Sequence, residues 1–306
     1  MNKILIIAGG YSKEREISFQ TAKSVYAELK KNKKYKIKIT EPDGNFVKKL
    51  KIFKPNIVFN LLHGRYGEDG YIQAILESQK IKYTHSGVLS SSLAIDKELS
   101  KKIFIKNKIL TPKYIKFIFR FNFKKKKIIE KVEKKLKFPV VIKPINEGSS
   151  VNVHICNKSN FIKNLFKLKN YNEILIEEYI PGREIQVAIL GKEKLGVIEL
   201  RPKRKFYDYQ AKYNPKAKTE HIIPVKISKK NYQKVTNIAF KSHKLLKCRG
   251  VTRSDFRFYK NKFYLLEINT QPGMTSLSLV PEIARYRNVN FKQLIERILD
   301  DASINK

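Results

Sequence analysis

The chain of 306 residues carries 65 Lys and Arg against 27 Asp and Glu, a formal net charge of +38, so its surface attracts polyanions in general. Its apolar runs are short, such as Ile4 to Ala8, which excludes a bilayer-spanning helix and, in the opening MNKILIIAGG, a secretory signal. Cys156 and Cys248 stand far apart without CxxC or histidine clustering, which excludes a zinc site and a disulfide framework and suits a reducing cytoplasm.

Lysine is spread along the whole chain beside abundant Ile and Asn, a mixture that A/T-biased codons also produce. The dense runs Lys30 to Lys36 and Lys124 to Lys137 read as solvated faces beside helical patterns, so a dedicated nucleic-acid role is the lesser reading. The length accommodates two or three modest domains.

Residues 3–8 predict a buried strand, followed by Gly9-Gly10-Tyr11-Ser12-Lys13-Glu14-Arg15-Glu16 and a helix from about Ser18. This βα opening lacks GxGxxG spacing, which argues against a nicotinamide site. Strands over 35–40 and 56–62 continue an α/β pattern. The latter ends in His63-Gly64-Arg65-Tyr66-Gly67-Glu68-Asp69-Gly70. Glu14 and His63 thereby fall on loops at the carboxyl edge of one sheet, where ligands gather. Surface capping or a satisfied hydrogen bond explains them equally well.

A helix over 90–108 carries Asp96-Lys97, and Pro112 marks a boundary. The strand 138–144 ends on Lys143, the Glu147-Gly148-Ser149-Ser150 loop follows, and 151–155 returns as a strand. A strand-borne lysine beside a Gly/Ser turn suits phosphate, without being a Walker A motif. Residues 173–190 predict two strands about Pro181-Gly182, with Glu177, Glu178 and Glu184 concentrated there. These acids suit ribose hydroxyls or an exocyclic amine; salt bridges to lysine are the alternative. The aromatic and basic segment 203–220 reads as a lid, and amphipathic helices are expected near 229–247, 276–287 and 291–301.

The runs 251–259 and 263–269, split by Lys260-Asn261-Lys262, predict a hairpin. With the turn centred on Asn261, Tyr259 pairs with Phe263, Asp255 opposes Glu267, and Arg253 opposes Asn269. Strict alternation then puts these four polar residues on one face. Phe256, Phe258, Tyr264, Leu266 and Ile268 cover the other, and Leu265 intrudes on the polar side. Carboxylates so opposed lie about 5 Å apart and repel by roughly 3 kcal/mol at an effective dielectric near 20. Two counter-charges are open: Arg253 or Arg257 on a solvated face, or magnesium shared with phosphate. The following Thr-Gln-Pro-Gly-Met-Thr-Ser stops the strand and offers Thr275, Ser276 or Ser278 as a helix cap, an arrangement suited to an anion.

Together GGYSKEREIS, LLHGRYGEDG, IDK, VVIKP with EGSSV, LIEEYIPGRE, FYDYQAKY, RSDF and LLEINTQPGMTSLSLVP resemble the D-alanine–D-alanine ligases of the ATP-grasp superfamily, in order and approximate spacing over essentially the whole chain. The resemblance implies an α/β and α+β fold of three domains. An N-terminal open parallel sheet (1–96) would precede two ATP-grasp subdomains (97–182 and 183–306) that clamp the nucleotide. It also implies a cytoplasmic, ATP-dependent enzyme of peptidoglycan synthesis, commonly homodimeric, with no membrane or specific nucleic-acid partner. ATP would phosphorylate one D-alanine, and the amine of a second would attack the acyl phosphate.

On matching positions, the resemblance implies that Lys97 and Lys143 hold the ATP phosphates. Glu177 and Glu184 would hold adenine or ribose, with the backbone of Glu178 to Ile180 facing the base. Asp255, Glu267 and Asn269 would bind two Mg2+ or Mn2+ ions. Glu14 would take the first D-alanine's ammonium, with His63 nearby. Arg253 and the Gly273 N–H would stabilise the oxyanion, and Ser278 with the Leu279 backbone the second carboxylate. Ser149 and Tyr213 would latch a closed lid with Glu14, and Lys212 would reach the transferred phosphoryl group. Leu277, where His is commoner, and Gln210, where an acid is commoner, depart from the pattern. A D-alanine–D-lactate ligase is the near alternative, against which Tyr213 speaks. A basic nucleic-acid-binding protein is the alternative of another class.

Overall fold

Strand β1 (Asn2–Ile7) is buried on both faces from Ile4 onward, the condition of a central parallel strand. It lies between β2 (Tyr35–Thr40) and β3 (Ile57–Asn60), and β4 (Lys82–Tyr83) completes a parallel sheet of order β2-β1-β3-β4. The chain winds away from β1 in both directions, so the carboxyl ends of β1 and β3 form the switch point where such sheets open a cleft. The computed structural model describes residues 2–119, 123–148, 151–202, 219–275 and 278–304.

Helix α1 (Arg15–Leu29) begins before the expected Ser18, because Ser18 N already donates to Glu14 O at 3.0 Å. Helices α2 (Phe46–Phe53) and α3 (Tyr71–Ser78) complete the first layer. The single helix expected over 90–108 is in fact two, α4 (Val88–Ile95) and α5 (Lys97–Lys106). Asp96 leaves helical geometry, and its carboxylate accepts from the amides of Glu98 and Leu99, each at 2.9 Å. An N-cap inside the run starts a new helix and sets Lys97 in its first turn.

The second sheet has order β5-β8-β6-β7, from β5 (Tyr114–Ile118), β6 (Val140–Pro144), β7 (His154–Cys156) and β8 (Glu173–Glu178). β7 starts at His154 rather than at the expected residue 151. Helices α6 (Lys125–Lys135) and α7 (Lys158–Lys167) cover this sheet over a core that includes Val132, Ile142 and Phe161. The third sheet has order β11-β10-β9-β12-β13: β9 (Arg183–Leu190), β10 (Glu193–Arg201), β11 (Glu220–Ile222), β12 (Val251–Tyr259) and β13 (Lys262–Asn269). Helices α8 (Lys229–Leu245), α9 (Leu279–Tyr286) and α10 (Phe291–Asp300) pack with it.

The two strands about Pro181-Gly182 therefore belong to different sheets. Gly182 makes that crossing at φ +103°, against the carbonyl of Phe258, where a Cβ has no room. The first and third sheets share one core, in which Ile4 and Phe59 join Leu190, Ile283 and Ile298, while the second sheet keeps its own. Among the described residues no helix is long and apolar enough to cross a membrane.

The hairpin β12–β13 turns on two residues, not three. Lys260 and Asn261 are both left-handed, at φ 47° and 58°, as a type I′ turn requires. Tyr259 consequently pairs with Lys262, and Phe258 with Phe263, which corrects the expected Tyr259–Phe263 pair. A bulge opposite the Asp255–Phe256 step then absorbs one extra residue and restores Asp255 to Glu267 and Arg253 to Asn269. Between turn and bulge the side chains are reversed, so Tyr264, expected on the apolar face, pairs with Arg257 and is only half-buried, while Phe263 is buried in its place. Leu265 is fully buried with Phe256 and Phe263, whereas Leu266 turns to the cleft beside Asp255. Strict alternation had put Leu265 on the polar face and Leu266 on the apolar one.

Candidate active site

One cleft opens at the switch point. Ser12 Oγ donates to His63 O at 2.6 Å and accepts from Glu14 N at 3.1 Å, which ties the loop after β1 to the loop after β3. Glu14 and His63 are both buried. His63 has Thr21 Oγ1 3.3 Å from Nε2 and Glu68 Oε1 3.6 Å from Nδ1. Burial, with the Glu14 charge adding to it, holds the Glu68 carboxyl above the usual range despite the His63 contact. A methyl group on Gly148 would lie 3.5 Å from Glu14 and 3.6 Å from Glu68, so the loop after β6 closes over this carboxylate pair.

The far side of that cleft is built by the chain leaving β13. Asn269 Oδ1 accepts from Gln271 N at 2.7 Å, and Gln271 Nε2 donates to the carbonyl of Leu62 at the end of β3. Gly273 and Ser278 line the cleft with Leu279. A Cβ on Gly273 would approach Ser278 Oγ to 2.9 Å, so any larger residue there would displace that hydroxyl. Ser278 holds the N-cap position of α9, yet its hydroxyl serves Thr275 (2.8 Å to Oγ1 and 3.0 Å from N) instead of its own helix. The first amides of α9 thus keep their donors for an anion.

A second cleft runs between the second and third sheets and is lined by Lys97, Lys143, Glu177, Glu178, Ile180, Glu184, Asp255, Leu266 and Glu267. Lys143 Nζ lies 2.8 Å from Glu177 Oε2, and the buried Lys101 lies 3.0 Å from Oε1. Burial raises the Glu177 carboxyl, but the two ammonium groups outweigh it and leave the group below its ordinary range. The salt bridge to lysine, the alternative reading of Glu177, is therefore present, and the residue also lines the second cleft. Arg257 donates to Ile180 O at 3.1 Å and faces Glu184 Oε2 at 3.4 Å. Glu178 Oε1 accepts from Lys113 N at 3.0 Å.

The two clefts meet on Lys97, Glu147 and Glu267, which line both. Lys97 Nζ donates to Glu147 O at 2.5 Å and lies 3.4 Å from Glu267 Oε2. Arg253 forks Asp255 at 2.8 and 2.9 Å, so the opposed carboxylates each face a protein cation. Among the described residues no three His, Cys, Asp or Glu side chains converge on one point. Asp255, Glu267 and Asn269 nonetheless offer two carboxylates and an amide oxygen at paired positions of adjacent strands. That donor set fits a hard divalent cation whose remaining ligands are phosphate and water.

Sequence reasoning missed Glu68, Lys101 and Gln271. Glu68 was legible within its glycine-rich loop, but only the fold shows its burial. Lys101 is one lysine among many, and Gln271 carries no motif of its own. Ser149, Gln210, Lys212, Tyr213, Leu277 and nearly all of the lid segment lie outside the described residues.

The family model described as "D-ala D-ala ligase C-terminus" matches residues 103–300. The D-alanine–D-alanine ligase of Pelagibacter ubique (strain HTCC1062) is 66% identical over 304 residues, covering 99% of each chain. The crystal structure of D-alanine–D-alanine ligase from Bacillus anthracis superposes with a TM-score of 0.86 at 33% identity, over 98% of this chain and 97% of that one. The same enzyme complexed with ATP gives 0.83 at 30% identity, with the same coverage. Two abutting clefts on three sheets, and likeness along the full chain, lead to one assignment: the protein belongs to the D-alanine–D-alanine ligase family, with its ATP-grasp architecture.

Proposed function

We propose that this protein joins two D-alanines to D-alanyl-D-alanine for peptidoglycan precursors, converting ATP to ADP and phosphate. The observation that carries the reading is the shared boundary of the two clefts on Lys97, Glu147 and Glu267. A carboxylate in the first cleft and a terminal phosphate in the second meet there. Phosphoryl transfer requires that proximity, since catalysis of it is largely positioning and charge stabilisation.

In this reading Glu14, with His63 beside it, holds the ammonium of the first D-alanine. Lys97 and Lys143 hold the phosphates, and Glu177, Glu184 and the backbone of Glu178 to Ile180 hold the nucleoside. Asp255, Glu267 and Asn269 hold two Mg2+ or Mn2+ ions, which when bound neutralise charge on the phosphates. A carboxylate oxygen of the first D-alanine attacks the terminal phosphorus and ADP leaves. The second D-alanine, its carboxylate on Ser278 and the Leu279 N–H, attacks the acyl carbon through its amine. Arg253 and the Gly273 N–H stabilise the tetrahedral oxyanion until phosphate leaves. Ser149, Lys212 and Tyr213 complete the reading as the cover that keeps water from the acyl phosphate.

The reading divides the chain at 96 and 182 and has it act in the cytoplasm as a homodimer, which sedimentation tests. Its main test is phosphate release from ATP that depends on D-alanine, with the dipeptide identified as product. No D-alanine-dependent release would refute the reading. Preferential ester formation with D-lactate near neutral pH would move the chain to the ester-forming ligases.

A further inference from the structure

Helix α5 carries two lysines one turn apart on the same face, Lys97 and Lys101. Lys97 lines both clefts, while Lys101 is 0% exposed and lies behind the wall of the second. An ammonium group is seldom buried without a partner, because desolvation of its charge costs several kcal/mol. Lys101 Nζ donates to Thr111 Oγ1 at 2.6 Å and lies 3.0 Å from Glu177 Oε1. Thr111 Oγ1 in turn donates to the carbonyl of Leu265 at 2.7 Å. The network therefore braces α5 and β8 against β13, the strand that carries Glu267.

The charge arrangement is specific. Glu177 Oε2 faces Lys143 at 2.8 Å and Oε1 faces Lys101, so two ammonium groups share one carboxylate and leave one net positive charge at the cleft wall. We propose that Lys101 is a positioning residue of the nucleotide cleft: by neutralising Glu177 from behind, it leaves the charge of Lys143 available to the phosphates instead of spent on Glu177. The inference rests on the reading of the second cleft as the nucleotide site. Burial lowers the Lys101 ammonium to about 8 while Glu177 opposes that shift, so it is mostly charged at neutral pH.

The test is calorimetric binding of the non-hydrolysable analogue AMP-PNP with magnesium, together with steady-state kinetics, for Lys101→Met and Thr111→Val. In Lys101→Met, AMP-PNP is expected to bind at least ~10-fold more weakly, with the KM for D-alanine unchanged. Its affinity should also respond less steeply to KCl, because one charge has left the wall. Thr111→Val, which removes the hydroxyl that fixes Lys101 and bonds the Leu265 carbonyl, is expected to shift the same quantities less, and it decides the question if Lys101→Met does not fold. Wild-type-like nucleotide affinity, or a parallel loss for both substrates, would overturn the inference. Failure of the unmodified protein to bind AMP-PNP would instead remove the nucleotide reading itself.

Discussion

Glu267 faces two clefts at once, with Lys97 3.4 Å away, and it occupies the bulged strand at the point where register is restored. Glu267→Gln keeps the shape and removes one charge. Turnover is expected to fall by about 100-fold or more, while the melting temperature stays near that of the parent. Unchanged turnover in a steady-state assay would take Glu267 out of the proposed metal set. Two histidines give a second prediction at this scale. Burial lowers His85 to about 3 and His243 to about 4, from an ordinary 6.5. Both are neutral when folded, and the unfolded chain takes up their protons below 6.5. Stability is therefore complete above that pH and is lost as pH falls, until the folded protein also protonates near 4 and 3. Each group contributes about 1.4 kcal/mol per pH unit within its window. Urea unfolding is expected to lose ~2–4 kcal/mol between pH 7 and 5, with a shallower dependence in His243→Asn.

Elements were legible wherever their signal was local. β1, β6 and the hairpin follow from apolar runs and turn residues, and Asp96 breaks a helix that periodicity alone had joined. The hairpin also shows how two departures cancel: a turn shorter than expected and a bulge leave Asp255 opposite Glu267 as predicted. Their separate effect is the exchange of faces between turn and bulge, of Phe263 with Tyr264 and of Leu265 with Leu266. Leu265→Ala is expected to cost about 2–5 kcal/mol, the range for a filled core site. Leu266→Ala should cost less in stability and raise the KM for ATP. Equal destabilisation in chemical melts would contradict the bulge.

For the whole molecule, the common core of the first and third sheets holds the switch-point cleft against β13, whereas the second sheet packs on itself. The chain as a whole carries a net charge of +38, which attracts a polyanion such as ATP. Between about 0.05 and 0.3 M KCl the KM for ATP is expected to rise severalfold, because the Debye length shrinks below about 10 Å. The KM for D-alanine, a zwitterion, should barely move. Parallel changes in both would mean that salt acts on the fold and not on nucleotide attraction.

The amino-acid sequence determined which chemistry each strand end carries, because alternation, turn residues and loop composition act over a few neighbouring positions. Asp255, Glu267, Asn269, Lys143, Glu14 and His63 were all singled out that way, and the fold places each of them in the lining of a cleft. Tertiary structure alone decided that Glu68 is buried against Glu14, that Gln271 ties β13 to the end of β3, and that Lys101 stands behind Glu177. Those facts arise from contacts between residues far apart in the chain, and in a chain so rich in lysine no local pattern separates a buried ammonium from a solvated one.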